Sequence, residues 1–127
     1  MGQAIKVLIV EDQDILAENL RTYLQRSGWV VQVASNGQRA LSTACAFRPE
    51  VLLLDYHLPD MNGFQILNAI RAHGCPCDCI LMTGHCNDAV WATARQHGIH
   101  RFLCKPFSLA ELSLHLTATA AGLPRHA

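Results

Sequence analysis

Two hydrophobic rhythms alternate along the chain. Short apolar runs at Val7–Val10, Val30–Ala34, Val51–Leu54, Ile80–Met82 and Phe102–Cys104 predict strands, most of them apolar enough to be buried on both faces. Between them, apolar residues recur at helical spacing. The stripes are Ile15, Leu16, Leu20, Tyr23 and Leu24; Ala40, Leu41, Ala44 and Phe47; Phe64, Ile66, Leu67 and Ile70; a stretch from about Asp88 to His97; and Leu109, Leu112 and Leu116. The punctuation agrees. Gly28 suits a left-handed cap after the first helix, Asn36 caps the second, and Pro49 closes it. Tyr56–Asn62 is a loop that carries Pro59 and leads into Gly63, Gly98 stops the fourth helix, and Ser108 caps the fifth. The least regular connection is His73–Cys79. Five βα repeats joined by right-handed crossovers predict an α/β, doubly wound, five-stranded parallel sheet with helices on two faces. Residues 1–121 form one domain in this reading, and 122–127 a frayed tail.

Composition narrows the class. A chain of 127 residues that is 50% hydrophobic and 16% charged can bury a core without a disulfide or metal staple. Lys+Arg and Asp+Glu balance at 10 each, and no basic stripe interleaves with aromatics, so direct nucleic-acid binding is not expected. A protein partner or a small phosphorylated donor is expected instead. No apolar run approaches the ~18 residues of a membrane span. The first strand begins too early for a signal peptide, and Met1-Gly2 opens like a myristoylation site but meets Lys6 where that motif needs Ser or Thr. A cytoplasmic protein without membrane contact is the expectation.

Six cysteines, Cys45, Cys75, Cys77, Cys79, Cys86 and Cys104, are then expected as reduced thiols acting as small hydrophobes. The Cys75-Pro76-Cys77-Asp78-Cys79 cluster near His73 invites a metal- or thiol-sensing reading, but Cys-x-Cys is not the Cys-x-x-Cys spacing of zinc or redox pairs. Strand residues two apart stand ~7 Å from each other, too far for two sulfurs ~2.3 Å from one metal. Unpaired thiols are expected there.

Four of the strands end on reactive groups: Glu11-Asp12, Asp55, Thr83 and Lys105-Pro106. In an open parallel sheet, ligands bind outside the carboxyl ends of the strands, where the strand order reverses. If the first and third strands are neighbours, Glu11, Asp12 and Asp55 converge, and three carboxylates at short range call for a cation. Mg²⁺ fits, as a hard ion that takes one or two carboxylates and keeps places for water and phosphate oxygens. Lys105 offers a point charge for phosphate, Thr83 a hydroxyl, and Asp55 a nucleophile for an aspartyl-phosphate. Each residue also has a plainer role: Asp12 as a helix cap, Asp55 and Asp60 as loop acids, Thr83 as a turn hydroxyl, Lys105 as a snorkelling lysine. Taken jointly, the plain roles leave unexplained why four strands end in compatible groups on one edge. Neither GxGxxG nor GxxxxGK[ST] is present, and His57 stands where the haloacid-dehalogenase type carries its second Asp.

The stretches KVLIVEDQ, LQRSGWVVQVASNGQRAL, PEVLLLDYHLPDMNGFQIL, ILMTGH and GIHRFLCKPFSLAEL, in that order and spacing, closely resemble the receiver domain of two-component response regulators over about residues 5–120. The resemblance implies a flavodoxin-like strand order, 2-1-3-4-5. It implies that Asp55 accepts a phosphoryl group from a phosphohistidine of a sensor histidine kinase or histidine phosphotransfer protein. Glu11, Asp12, Asp55 and the backbone carbonyl of His57 would hold Mg²⁺, with Mn²⁺ as a substitute. Thr83 and Lys105 would be the switch hydroxyl and the phosphate-contacting lysine, and Phe102 the aromatic switch. The Lys-Pro bond would be cis. Such a domain catalyses its own phosphorylation and dephosphorylation without being an enzyme on a separate substrate. The output face would be the fourth helix, fifth strand and fifth helix, meeting a downstream output protein or domain or a second copy in a homodimer, with Trp91 on it. Glu11 and Leu58 depart from the commonest family residues, where Asp and Met stand. His57 and His85 edge the pocket, where they would either tune water access and admit softer ions such as Mn²⁺ or Zn²⁺, or remain solvated loop residues. The alternative function is a phosphorylation-independent interaction module that keeps the fold.

Overall fold

The structure, a computed structural model, describes residues 4–123, so the Met1-Gly2 reading and residues 124–127 of the expected tail lie outside the described residues. Ten elements alternate: β1 (Lys6–Val10), α1 (Asp14–Arg26), β2 (Val30–Ala34), α2 (Gly37–Phe47), β3 (Val51–Asp55), α3 (Gly63–Ala72), β4 (Asp78–Thr83), α4 (Asp88–Gln96), β5 (Arg101–Cys104) and α5 (Leu109–Ala121). The sheet is parallel throughout, in the order β2-β1-β3-β4-β5. Strand order reverses between β1 and β3, which pair directly from Val7↔Val51 to Val10↔Leu54. Glu11, Asp12 and Asp55 therefore emerge side by side.

The period of two within each strand divides the core. Val7, Ile9, Val51, Leu53, Ile80 and Met82 face α1 and α5 through Leu20, Leu24, Leu112 and Leu116. Leu8, Val10, Leu52, Leu54 and Leu81 face α2, α3 and α4 through Ala40, Ala44, Ile66, Leu67, Ile70 and Ala94. Both faces of the central strands are covered, which is why their sequences are apolar without alternation. Gly28 takes φ +95° after α1, as its cap position requires. Asn36 and Ser108 accept from backbone N–H groups three residues on. The His73–Cys79 connection is shorter than its composition suggests: β4 starts at Asp78, because Asp78 and Cys79 pair with Val51 and Leu52.

Gly63 opens α3 where the chain turns back under β3. A Cβ there would stand 3.1 Å from the Asp55 carbonyl oxygen and 3.2 Å from Tyr56 Cα, both backbone atoms that cannot swing aside. Gly63→Ala is expected to lower stability by about 1–2 kcal/mol. Urea unfolding would show a reduced midpoint with an unchanged slope, and an unaltered midpoint would contradict the packing described.

Candidate functional site

The Glu11 backbone N–H donates to Ala34 O at 3.0 Å, which continues the β1–β2 ladder one residue past the strand. Its side chain is almost fully buried, at 1% exposure. Oε1 accepts from Lys105 Nζ at 2.6 Å and Oε2 from the Gln13 N–H at 3.1 Å. Asp55, the last residue of β3 and also buried, accepts from the His57 N–H at 3.3 Å and from Lys105 Nζ at 3.2 Å. Asp12 is exposed beside them and does not cap α1, whose N-cap is Gln13 with no side-chain cap bond. One oxygen from each of Glu11, Asp12 and Asp55 lies within 4.8 Å of the others. Among the described residues this is the one cluster of three or more such groups close enough to hold a metal.

Lys105 follows β5 and points back across the sheet edge. Its backbone N–H donates to Thr83 O at 2.8 Å, and the Lys105–Pro106 peptide is cis. Burial by itself would push the ammonium toward its neutral form, but the hydrogen bond to Glu11 and the charges of Asp55 and Glu11 outweigh it, so its pKa lies above the ordinary lysine value. One ammonium faces three carboxylates. The remaining donors are all hard oxygens, a set that suits Mg²⁺ and offers nothing to a soft metal. No backbone N–H among the described residues donates to the His57 carbonyl, so that oxygen is uncommitted by the main chain.

Thr83 ends β4, fully buried, with its hydroxyl accepting from the His85 N–H at 2.9 Å. Phe102 is half-buried on β5. The Trp91 ring centroid lies 4.4 Å from its own, and the Arg95 guanidinium 5.7 Å away, so α4 and β5 meet through this aromatic pair. A cleft of about 720 Å³ lies at the opposite edge of the sheet, against Glu50, Arg71 and Asp78, far from the acids.

Residues 7–117 match the response regulator receiver domain family. The chain belongs to that family. It is 34% identical to the transcriptional regulatory protein TrcR of Mycobacterium tuberculosis over 91% of its own length, and 33% identical to the regulatory protein AtoC of Escherichia coli over 86%. It spans 45% and 24% of those two proteins, so it corresponds to a part of each. The chemotaxis protein CheY4 of Vibrio cholerae superposes with a TM-score of 0.86 at 26% identity, covering 92% of this chain and 99% of that one. This is thus a receiver domain of two-component response regulators with the flavodoxin-like strand order.

Three features of this receiver differ from expectation or escaped it. First, Asp60 is no idle loop acid: its two oxygens accept from the Gly37 and Gln38 N–H groups at 2.8 and 3.0 Å. These bonds, that from Gly37 foremost, hold its carboxyl below the usual range. Acids favour helix N-termini, but this helix starts 23 residues upstream, where sequence spacing gives no cue. Second, His57 and His85 are exposed, as loop residues should be, yet their rings meet edge to face with centroids 4.8 Å apart. Neither belongs to the acidic cluster.

Third, the expectation of six unpaired thiols fails at one pair, for Cys86 and Cys104 form a disulfide. The register explains it. Thr83 lies opposite Cys104, and the chain after Thr83 folds back so that the two Cα atoms stand 5.9 Å apart, within ordinary disulfide reach. Cys75, Cys77 and Cys79 are buried and unpaired, as expected. Burial, reinforced by Cys75, pushes the Cys77 thiol up to about 12, and burial raises Cys79 as well. These are packing groups.

Among the described residues no helix is long and apolar enough to cross a membrane.

Proposed function

We propose that this receiver is a phosphorylation-activated switch in which Asp55 accepts a phosphoryl group from a phosphohistidine of a sensor histidine kinase or a histidine phosphotransfer protein. The observation that carries this is Lys105 Nζ, held at once on Glu11 and on Asp55 at the edge where strand order reverses. One Asp55 oxygen attacks phosphorus, the P–N bond to the donor imidazole breaks, and the ring leaves with a proton taken from solvent. Lys105 already sits within bonding distance of the nucleophile and neutralises charge that develops on the phosphoryl oxygens. Glu11 holds Lys105 in that place. Glu11, Asp12, Asp55 and the His57 carbonyl would hold Mg²⁺, or Mn²⁺ in its stead, which would supply further charge neutralisation. The domain catalyses this transfer to itself and the later hydrolysis, without acting on a separate substrate.

Thr83 then reports the new charge. Its hydroxyl, which accepts from the His85 N–H, keeps its own proton to donate to a phosphoryl oxygen, and Phe102 and Trp91 pack together where β5 meets α4, on the surface of α4, β5 and α5. That surface would meet a downstream output protein or domain, or a second copy of the chain. The setting is cytoplasmic, and the balanced charge of the chain supports neither nucleic-acid nor membrane contact by this domain. Incubation with acetyl phosphate and Mg²⁺, followed by intact-mass measurement, tests the acceptor role.

The His57–His85 contact carries a kinetic prediction. The two rings, edge to face on the residues two positions past Asp55 and Thr83, would shield an acyl-phosphate on Asp55 from water. In His85→Ala the adduct is expected to decay several-fold faster than in the parent, followed by mass after the donor is removed. Equal half-lives would dismiss the shielding role.

A further inference from the structure

Six cysteines occupy three kinds of place. Cys75, Cys77 and Cys79 are buried thiols, and burial disfavours the reactive thiolate at Cys77 and Cys79. Cys45 is exposed on α2 without a partner. Cys86 and Cys104 are exposed and joined to each other. This bond is not needed as a staple, since the two apolar layers on either side of the sheet already enclose the central strands. Exposed disulfides that do not support a core are the ones open to exchange.

Its position is informative. Cys86 is three residues after Thr83, and its Sγ lies 3.4 Å from the Thr83 carbonyl oxygen. Cys104 is opposite Thr83 in the β4–β5 register and immediately precedes Lys105. The bond therefore ties the exposed β4–α4 loop, residues 84–87, to the end of β5.

We propose that Cys86 and Cys104 form a reversible thiol–disulfide site whose oxidised form restrains the β4–α4 loop, making the switch sensitive to redox state as well as to phosphorylation. The significance for switching rests on the Asp55 reading; the redox site itself does not. The oxidant is a low-molecular-weight disulfide such as glutathione disulfide. One protein thiolate attacks it and releases one small thiol. The second protein thiolate then attacks the mixed disulfide and releases the other. Two protein thiols are oxidised, one small disulfide is reduced, and the two protons leave on the released thiols. A reducing thiol pool runs the same steps backwards. With the bond closed, residues 84–87 cannot separate from β5, and Thr83 has less freedom to move toward Asp55. With it open, the loop keeps only hydrogen-bonded ties, among them the His85 N–H bond to the Thr83 hydroxyl and the Asn87 cap of α4.

The test uses the whole chain in glutathione buffers of graded ratio. Alkylation under denaturing conditions, with peptide mapping, should show the Cys86–Cys104 link in oxidising buffer and its loss in reducing buffer, with Cys75, Cys77 and Cys79 remaining as thiols. Amide hydrogen exchange over residues 84–88 should be several-fold slower in the oxidised protein. The Cys86→Ser/Cys104→Ser double variant should exchange at the reduced-protein rate in both buffers. Six free thiols in oxidising buffer, a link between other cysteines, or equal exchange in the two states would overturn the proposal. Acetyl phosphate labelling of the reduced protein is scored separately: absence of an adduct would remove the Asp55 reading and leave the thiol and exchange results to judge the redox site alone.

Discussion

Asp55→Asn is expected to form no phosphoryl adduct with acetyl phosphate and Mg²⁺ under conditions where the parent is labelled. The amide keeps the size and the two-atom fork of the carboxylate, so the His57 N–H keeps its acceptor. It lacks the anionic oxygen that attacks phosphorus, and it weakens the pull on Lys105. Stability should not fall, because the substitution also removes one of three carboxylates gathered within 4.8 Å. Intact mass reads the first expectation and thermal melting the second. An adduct on the Asn variant would place the acceptor elsewhere and discard the proposed chemistry, whereas a collapsed melting temperature would show that Asp55 is a structural acid.

Lys105→Ala should be the more damaging change to the fold. Glu11 is 1% exposed, and its charge is met by one ammonium and one backbone N–H. Removing the ammonium leaves a buried carboxylate beside Asp55 with no cation, at a cost of about 2 kcal/mol, less than for a fully dry pair because Lys105 itself is partly exposed. Added Mg²⁺ should therefore raise the melting temperature of the variant more than that of the parent, since it meets the same uncompensated charge. The alkaline limb carries the opposite sign. Because the folded-state pKa of Lys105 is raised, its contribution is complete below the ordinary lysine value and is lost as pH climbs through the folded one. The parent should lose stability there, and the variant should lack that component. A variant that melts like the parent, with no added response to Mg²⁺, would mean that Glu11 does not depend on Lys105.

Much of the site was legible in the sequence because the fold makes it so. When every strand is parallel, residues that follow strands share one edge, and a list of strand ends becomes a list of neighbours. Asp55, Lys105 and Glu11 could be grouped on that ground alone. What escaped were contacts between loops, whose partners depend on how far one strand slides along another. The Asp60 bond to α2, the His57–His85 contact and the Cys86–Cys104 pair each join segments whose separation in sequence follows no periodic rule. The early start of β4 was hidden for a related reason: Asp78 and Cys79 look like loop residues until Val51 and Leu52 are set against them.

The Asp60 tie has a consequence for direction. Together with the Asn62–Gln65 capping box and the Gly63 N–H bond to Tyr56 O, it clamps the segment downstream of Asp55 to two helices. Across the pocket, residues 84–87 are tied to α4 by the Asn87 cap bond to the Val90 N–H and to β5 by the Cys86–Cys104 bond. The acceptor sits between one jaw held by hydrogen bonds and another whose tie to the sheet opens on reduction, so the compliance felt by a load at Asp55 is set by thiol chemistry on one side alone.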